Sequence, residues 1–434
     1  MEQTSRRLVR PQHVHKIESQ TKTKRRIRFF RQACLVLATV LLVTIPWFLI
    51  RFVSSGDDGG RGGSAAGGKS TSTYLPFSSS FTGHGGDNYS TISSSSCAIC
   101  FFGLPRSFKL FVLPSIIKNV LIPNLSSRCD IFLHYYDIKT EEKSRSGLGG
   151  TIDTSEVYLL KDAVDRIYNT GNGNITGTPK TPIVGKVQLT ITKDTNETFW
   201  DQRHDQIHRY MNTKGEDRKL LYFPWMAKSY DRNSVINVIK QWHSIESVFE
   251  SMEHSGKKYD RVAMLRNDVV FVTPFDIWKV NSTLRDTDNQ IVTVPNWARF
   301  PINDRLVYGP ASAVKIWSTE RFQRLEDHVR TYPEPGYGLH SERFLDHSIF
   351  PAIRQELGYE VSTNPQICFF RARSDGSCWI NDCATRNGAA LGFRTIDTQK
   401  LVEGLVETGT KCIRSKYTNR IVQLKCTPPL TKPP

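Results

Sequence analysis

Tyr259-Asp-Arg-Val-Ala-Met-Leu-Arg-Asn-Asp-Val-Val-Phe271 decides how the rest of the chain is read. Val262 to Leu265 form a short apolar run of strand length, and a second run resumes at Val269. Between them stand Arg266, Asn267 and Asp268. Asn and Asp favour turns, so a solvated turn is the plain reading. An ionisable trio wedged between two buried-looking runs instead suggests a site at the carboxyl end of a strand, where open α/β sheets bind ligands.

Working outward, short apolar runs alternate with amphipathic ones. Strands are expected over 97–103, 129–136, 157–160, 261–265, 291–295, 306–309 and 367–370. Helices are expected over 107–122, broken or kinked at Pro114, and over 234–254, 312–329 and 341–357. In the second helix Val235, Ile239, Trp242, Ile245, Phe249 and Met252 recur at helical spacing, as core residues do. Strands alternating with such helices imply an α/β sheet with a substantial parallel part. The polar stretch 139–230 reads as an insertion or a set of long loops.

Upstream of this domain, 97–434, the composition changes twice. Residues 54–96 are Gly/Ser-rich, a composition that forms a flexible stem and no core. Ala33 to Ile50 is an apolar run, extended through Arg51 to Val53, which as a helix spans about 27 Å, enough for one membrane crossing. Arg51 snorkels and Trp47 suits the interface. Residues 1–32 hold ten Lys/Arg against Glu2 and Glu18, a net +8 and half of the chain's formal +16. A basic tail before an apolar helix keeps the tail cytosolic. The expectation is a single-span type II membrane protein with a lumenal domain. The remaining positive charge is dispersed over about 400 residues with no aromatic-interleaved patch and no zinc spacing, which argues against nucleic acid as a partner.

Nine cysteines fit that topology. Cys34 lies in the apolar segment. Cys97, Cys100, Cys129, Cys368, Cys378, Cys383, Cys412 and Cys426 lie beyond it, an even number in an oxidising compartment. If all eight pair, the N-terminal three and the C-terminal five must share a bridge, whose long loop would contribute on the order of 3–5 kcal/mol. Cys97-x-x-Cys100 has redox or metal spacing as its alternative. Sequons for N-glycosylation begin at Asn88, Asn124, Asn174, Asn196 and Asn281, all past the apolar segment.

The 259–271 segment resembles the YD-x-(apolar)-R-x-D-(apolar)-x-F signature of Golgi-type and microbial glycosyltransferase-like domains with a GT-A fold. Gln241-Trp242 in the preceding helix, Phe300-Pro-Ile-Asn-Asp-Arg-Leu-Val-Tyr-Gly309 and His340-Ser-Glu-Arg-Phe-Leu345 extend the likeness. Cys100-Phe-Phe-Gly-Leu-Pro-Arg-Ser107 and Cys129-Asp-Ile-Phe-Leu-His134 fit the first two strands, so that it covers about 97–373. The resemblance implies a Rossmann-like, GT-A-type mixed sheet flanked by helices. It implies a Golgi glycosyltransferase that moves sugar from a nucleotide-sugar donor to a glycan or glycoprotein acceptor; the endoplasmic reticulum is the alternative compartment.

The leaving diphosphate accumulates negative charge, which Mn²⁺ or Mg²⁺ held by a carboxylate can neutralise. Asp268 is the candidate metal ligand, and Arg266 is placed to contact phosphate or to pair with Asp268. A strict Asp-x-Asp is absent, because Arg266 stands two before Asp268. Asp304 and Glu342 are candidates for acceptor binding or general base, with His340 and His347 as further members. Arg106 and Ser107 carry a rival reading: Gly103-Leu-Pro-Arg-Ser107 faintly resembles the phosphosulfate loop of lumenal sulfotransferases, an anion-binding turn before a helix. A non-catalytic glycan-binding protein is the third class.

Overall fold

The computed structural model describes residues 96–143, 148–169, 186–279, 290–297, 300–380, 395–418 and 421–429. The expected tail, anchor and stem up to residue 95 lie outside these, as do Cys34, Cys383 and the sequons at Asn88, Asn174 and Asn281. Among the described residues no helix is long and apolar enough to cross a membrane.

The strands are β1 (Cys97–Gly103), β2 (Asp130–Tyr136), β3 (Thr140–Glu141), β4 (Gly150–Thr151), β5 (Leu189–Asp194), β6 (Arg261–Arg266), β7 (Val269–Phe271), β8 (Ile291–Pro295), β9 (Leu306–Pro310), β10 (Glu360–Asn364), β11 (Phe369–Ala372), β12 (Ser377–Ile380), β13 (Lys411–Thr418) and β14 (Ile421–Thr427). The helices are α1 (108–121), α2 (154–169), α3 (Asn196–Asn212), α4 (Arg232–Glu253), α5 (Ala311–Thr319), α6 (Arg321–Thr331), α7 (341–357) and α8 (Thr395–Glu403).

The principal sheet has the order β10-β8-β9-β6-β1-β2-β5. β5, β2, β1 and β6 are parallel neighbours; β9 is antiparallel to both β6 and β8, and β10 is parallel to β8. The molecule is thus an α/β protein with a mixed sheet flanked by helices. β1 shows why its strands read as continuous apolar runs. Ile99 and Phe101 enter the core cluster on one face, whereas Ala98, Cys100 and Phe102 enter the cluster on the other. A strand covered on both faces has no polar side.

α4 packs Val235, Ile239, Trp242, Ile245, Phe249 and Met252 into the second cluster, as its periodicity predicts. Its start is fixed by the Asp231 side chain, which accepts from the Ser234 amide at 2.7 Å. α3 begins with a capping box between Thr195 and Thr198.

Several expectations are corrected. Residues 157–160, read as a strand, belong to α2; four apolar residues alone do not distinguish the two states. α1 runs through Pro114 without ending, with π-type turns on either side. The helix expected over 312–329 is two, parted at Glu320. The stretch 139–230 is more than loops, since it supplies α2, α3 and the sheet-edge strand β5. A second, antiparallel sheet, β13-β14-β12-β11-β7, was not foreseen.

Cys97 and Cys129 form a disulfide across the adjacent starts of β1 and β2, with their Cα atoms 4.6 Å apart. Cys412 and Cys426 bridge β13 to β14. Cys100 is a buried thiol near Met252, and burial pushes its pKa well above the usual thiol range. The N-terminal three cysteines are therefore accounted for among themselves, and the expected bridge to the C-terminal five does not form. The Cys97-x-x-Cys100 reading as a redox or metal pair also fails. Positions i and i+3 of a strand point to opposite faces, and these two cysteines lie in opposite core clusters.

Candidate functional site

The chain builds β1, β2 and β5 outward in one direction, then returns to place β6 on the other side of β1. The carboxyl ends of β1 and β6 thus flank a topological switch point, where such sheets bind ligands. A cleft of about 540 Å³ opens there, reaching from Gly103 and Arg106 to Gln241, Arg266, Asp304 and Glu342.

The turn that follows β6 is buried, not solvated. Asn267 donates its backbone N–H to the Phe102 carbonyl at 2.9 Å and its side-chain amide to the Gly103 carbonyl at 3.0 Å. Gly103 has φ of +110°, and a Cβ there would come 3.3 Å from Asn267 Oδ1. This interlock ties the ends of β1 and β6 together and leaves Asp268 only 1% exposed.

Asp268 sits beneath the cleft with both oxygens engaged. Oδ1 accepts from Arg266 Nε at 2.7 Å, and Oδ2 accepts from Arg266 Nη2 at 2.7 Å and also from Arg106 Nη1. Burial opposes its ionisation, but Arg266 and Arg106 beside it prevail and hold it well below the usual carboxylate range. Arg106 turns its other edge to Glu141, which accepts Nε at 2.7 Å and Nη2 at 2.5 Å. Arg266 Nη1 reaches Gln241 Oε1 at 3.1 Å.

This donor set does not fit the metal expected at Asp268. An incoming cation would have to displace three charge-assisted hydrogen bonds and sit against two guanidiniums. Among the described residues no cluster of three or more His, Cys, Asp or Glu is arranged to hold a metal ion.

The remaining predicted residues divide. Asp304 and Glu342 line the cleft, as does His340, whose Nδ1 lies 3.4 Å from Glu342. Burial also opposes the charge of Asp304, but Arg305 and Arg266 outweigh it and lower its pKa. His347 is not brought to the cleft; it packs against His328 and Tyr332. Ser107 donates its hydroxyl to the Arg373 carbonyl at 2.6 Å, so the turn proposed as a phosphosulfate loop uses that group internally. Phe300, half exposed, and Tyr230, against His340, give the cleft an aromatic flank.

Of the two described sequons, Asn196 is exposed at the start of α3. Asn124 is fully buried: its amide nitrogen donates to the carbonyls of Val120 and Phe275, and its oxygen accepts from the Ile277 amide. The folded chain leaves no room for a glycan on Asn124, because its side chain closes a backbone junction inside the core.

Sequence reading missed three groups. Arg371 and Arg373, at the end of β11, line the cleft, and their spacing by two put them on one strand face. Arg373 is only 2% exposed; it stacks on Trp379, and its Nε and Nη2 meet no hydrogen-bond acceptor. Burial first, then Arg371 and Arg106, lower its pKa well below that of a solvated guanidinium. Each such unmet donor costs on the order of 1–3 kcal/mol.

The second missed group is Glu141. The third is a histidine network beside the cleft floor. Asp194, at the end of β5, accepts from His134 Nε2 at 3.1 Å and from His243 Nε2 at 2.8 Å. His243 Nδ1 accepts from Arg203 Nε at 3.0 Å, which fixes its tautomer. His134 Nδ1 lies 2.8 Å from Ser244 Oγ, which accepts the Gly103 amide at 2.9 Å. Burial lowers the His243 pKa to about 4 despite the carboxylate.

Comparison with protein-family models and with curated proteins yields no match for this chain.

Proposed function

We propose that the chain is a glycosyltransferase of the secretory pathway, taking a nucleotide-sugar donor in the cleft and serving a glycan or glycoprotein acceptor. The observation that carries this reading is convergence. Arg106, Gln241, Arg266, Asp304 and Glu342, drawn from distant segments, line one cleft at the carboxyl ends of parallel strands. The reversed strand β9 within an otherwise co-directional sheet is in keeping with the GT-A-type fold that the sequence resembles.

In this reading the acceptor hydroxyl attacks the anomeric carbon of the donor, the bond from that carbon to phosphate oxygen breaks, and a carboxylate takes the hydroxyl proton. Glu342 suits the proton transfer better than Asp304. The arginines beside Asp304 lower its proton affinity, which makes a weaker base. Asp304 then holds the acceptor or orients Gln241, whose Nε2 lies 3.5 Å from it. The aromatic flank of Tyr230 and Phe300 offers apolar faces on which a sugar ring can stack. The basic tail and apolar run support a single-span type II topology in this reading, and the family resemblance supports the Golgi as its compartment.

The test is to incubate the purified full-length chain with a panel of nucleotide sugars and follow release of nucleoside diphosphate. Turnover with at least one donor is expected, and Glu342→Gln should lower it by roughly 10²-fold or more while donor binding persists. Phosphosulfate turnover without nucleotide-sugar turnover would replace this reading by a sulfotransferase. Glycan binding with no turnover would make the chain a lectin-like protein.

A further inference from the structure

Three cations, Arg106 and Arg373 buried and Arg266 partly exposed, meet at the inner wall of the cleft, and their situations differ. Arg266 is matched by Asp268, and Arg106 is matched by Asp268 and Glu141. Arg373 lies close enough to both for their charges to act on it, yet two of its nitrogens have no acceptor. A guanidinium stays charged under all ordinary conditions, so this is a buried positive charge without a counter-ion of its own. Its plane is held against the Trp379 ring, centroid 4.2 Å from the guanidinium carbon, which fixes its orientation without using a hydrogen bond. Its backbone is fixed as well, because its carbonyl accepts the Ser107 hydroxyl and its N–H donates to the Ser377 carbonyl at 2.8 Å. Fixed, desolvated and unsatisfied donors of this kind are what an oxyanion site consists of.

We propose that Arg373 is the anion-binding residue of the cleft, receiving a diphosphate group directly, with no bridging divalent metal. The proposal rests on the transferase reading for the identity of the diphosphate as part of a nucleotide sugar. The chemistry stands on the cleft itself. A diphosphate in the cleft that Arg373 lines brings oxygen acceptors to a guanidinium whose buried Nε and Nη2 are unpartnered, and its negative charge offsets the mutual repulsion of Arg373, Arg371 and Arg106. Asp268 has a different task here from metal ligation. By binding Arg106 and Arg266 from below, it keeps those two cations in place beside the anion. Glu141 does the same for Arg106 from the other side.

Calorimetric titration of the full-length chain with inorganic pyrophosphate tests this, in EDTA and then in excess Mn²⁺. Binding is expected in EDTA, changed less than about twofold by Mn²⁺. Arg373→Gln should weaken it at least tenfold, and Arg373→Lys, which keeps the charge and loses the fork, should weaken it less. Thermal melting of the same proteins guards against misfolding. Without ligand, Arg373→Gln should melt no lower than wild type, since it removes an uncompensated buried charge. Pyrophosphate should then raise the melting temperature of wild type and leave that of the variant unmoved.

Binding that requires Mn²⁺, binding unaffected by Arg373→Gln, or no binding under either condition overturns the proposal. The outcomes separate it from the transferase reading. Binding strictly dependent on Mn²⁺, with nucleotide-sugar turnover, removes this inference and keeps the transferase. Arg373-dependent binding without any nucleotide-sugar turnover keeps the anion site and removes the transferase.

Discussion

Two carboxylates, the buried Asp268 just past β6 and the partly exposed Asp194 at the end of β5, stand at the carboxyl ends of co-directional strands with β1 and β2 between them, and their surroundings differ in kind. Asp268 is gripped by Arg106 and Arg266, whose charges are permanent, whereas Asp194 is gripped by His134 and His243, whose charges depend on proton uptake. Around Asp268 the charges are fully formed and the ring lines the cleft. Around Asp194 the His243 ring is kept neutral by burial, and the network forms a continuous relay from the Gly103 amide to Asp194. One fold thus uses carboxylates in two ways, as a fixed counter-ion and as an acceptor that orients imidazoles. The distinction predicts different responses to mutation and to pH.

The largest effect is expected at Asp268. Asp268→Asn preserves shape but leaves two guanidiniums facing a neutral amide, a loss of about 3–5 kcal/mol. For a domain of this size that lowers the melting temperature by roughly 5–15 °C. A variant that melts within a degree or two of wild type, yet has lost transfer, would restore the metal-ligand role and erase the contrast drawn above.

A somewhat smaller effect belongs to the histidine side. His243 has its folded pKa depressed to about 4, against an unfolded value near 6.5. Its contribution is therefore fully present above pH 6.5 and is lost as pH falls from 6.5 toward 4, because the unfolded chain takes up the proton first. The full loss is about 3 kcal/mol. The carboxylate of Asp194 is itself held below its ordinary pKa, so its own contribution persists through that window and fails only in stronger acid. Denaturant unfolding from pH 7 to pH 4 should show the slope, and His243→Gln, able to donate to Asp194 and accept from Arg203, should flatten it. An unchanged slope in His243→Gln would assign the titration elsewhere. The arginine side should contribute no slope above about pH 5, and below that only as the unfolded carboxyls of Glu141 and Asp268 begin to take up protons.

The smallest effect is expected at the sequons, where exposure replaces charge as the variable. Mass spectrometry of the chain expressed through the secretory pathway should find a glycan on Asn196 and none on Asn124. Asn196→Gln should then change stability by less than about 0.5 kcal/mol. Full occupancy at Asn124 would contradict the buried hydrogen-bonding of its amide.

Much of the fold was readable because its central strands are covered on both faces. β1, β6 and β8 are continuous apolar runs, and α4 displays a full amphipathic stripe. β5 escaped notice because it is an edge strand, partly exposed, in which Leu189 and Ile191 alternate with threonines. The cleft was half legible. The Arg266-Asn267-Asp268 trio and the Arg106 turn declare themselves by ionisable residues at strand ends. Their partners do not, since Glu141 lies 35 residues from Arg106 and Arg373 lies 266 residues from Ser107. Burial decides their meaning, and no local pattern encodes it. The same holds for Asp268, whose residue type suits a metal and whose neighbours exclude one.

The disulfide at Cys97 has a mechanical consequence. Chain entering the domain arrives at the amino end of β1, the strand flanked by parallel β2 on one side and parallel β6 on the other. A pull on that entry point loads both interfaces in shear, so the ladder's hydrogen bonds resist together instead of opening one after another. The bond from Cys97 to Cys129 passes part of the tension straight into β2 at its first residues. Tension on the entry point is thus shared by the middle of the sheet at the end opposite the cleft, and the arginine cluster lies a full strand length from where the force is applied.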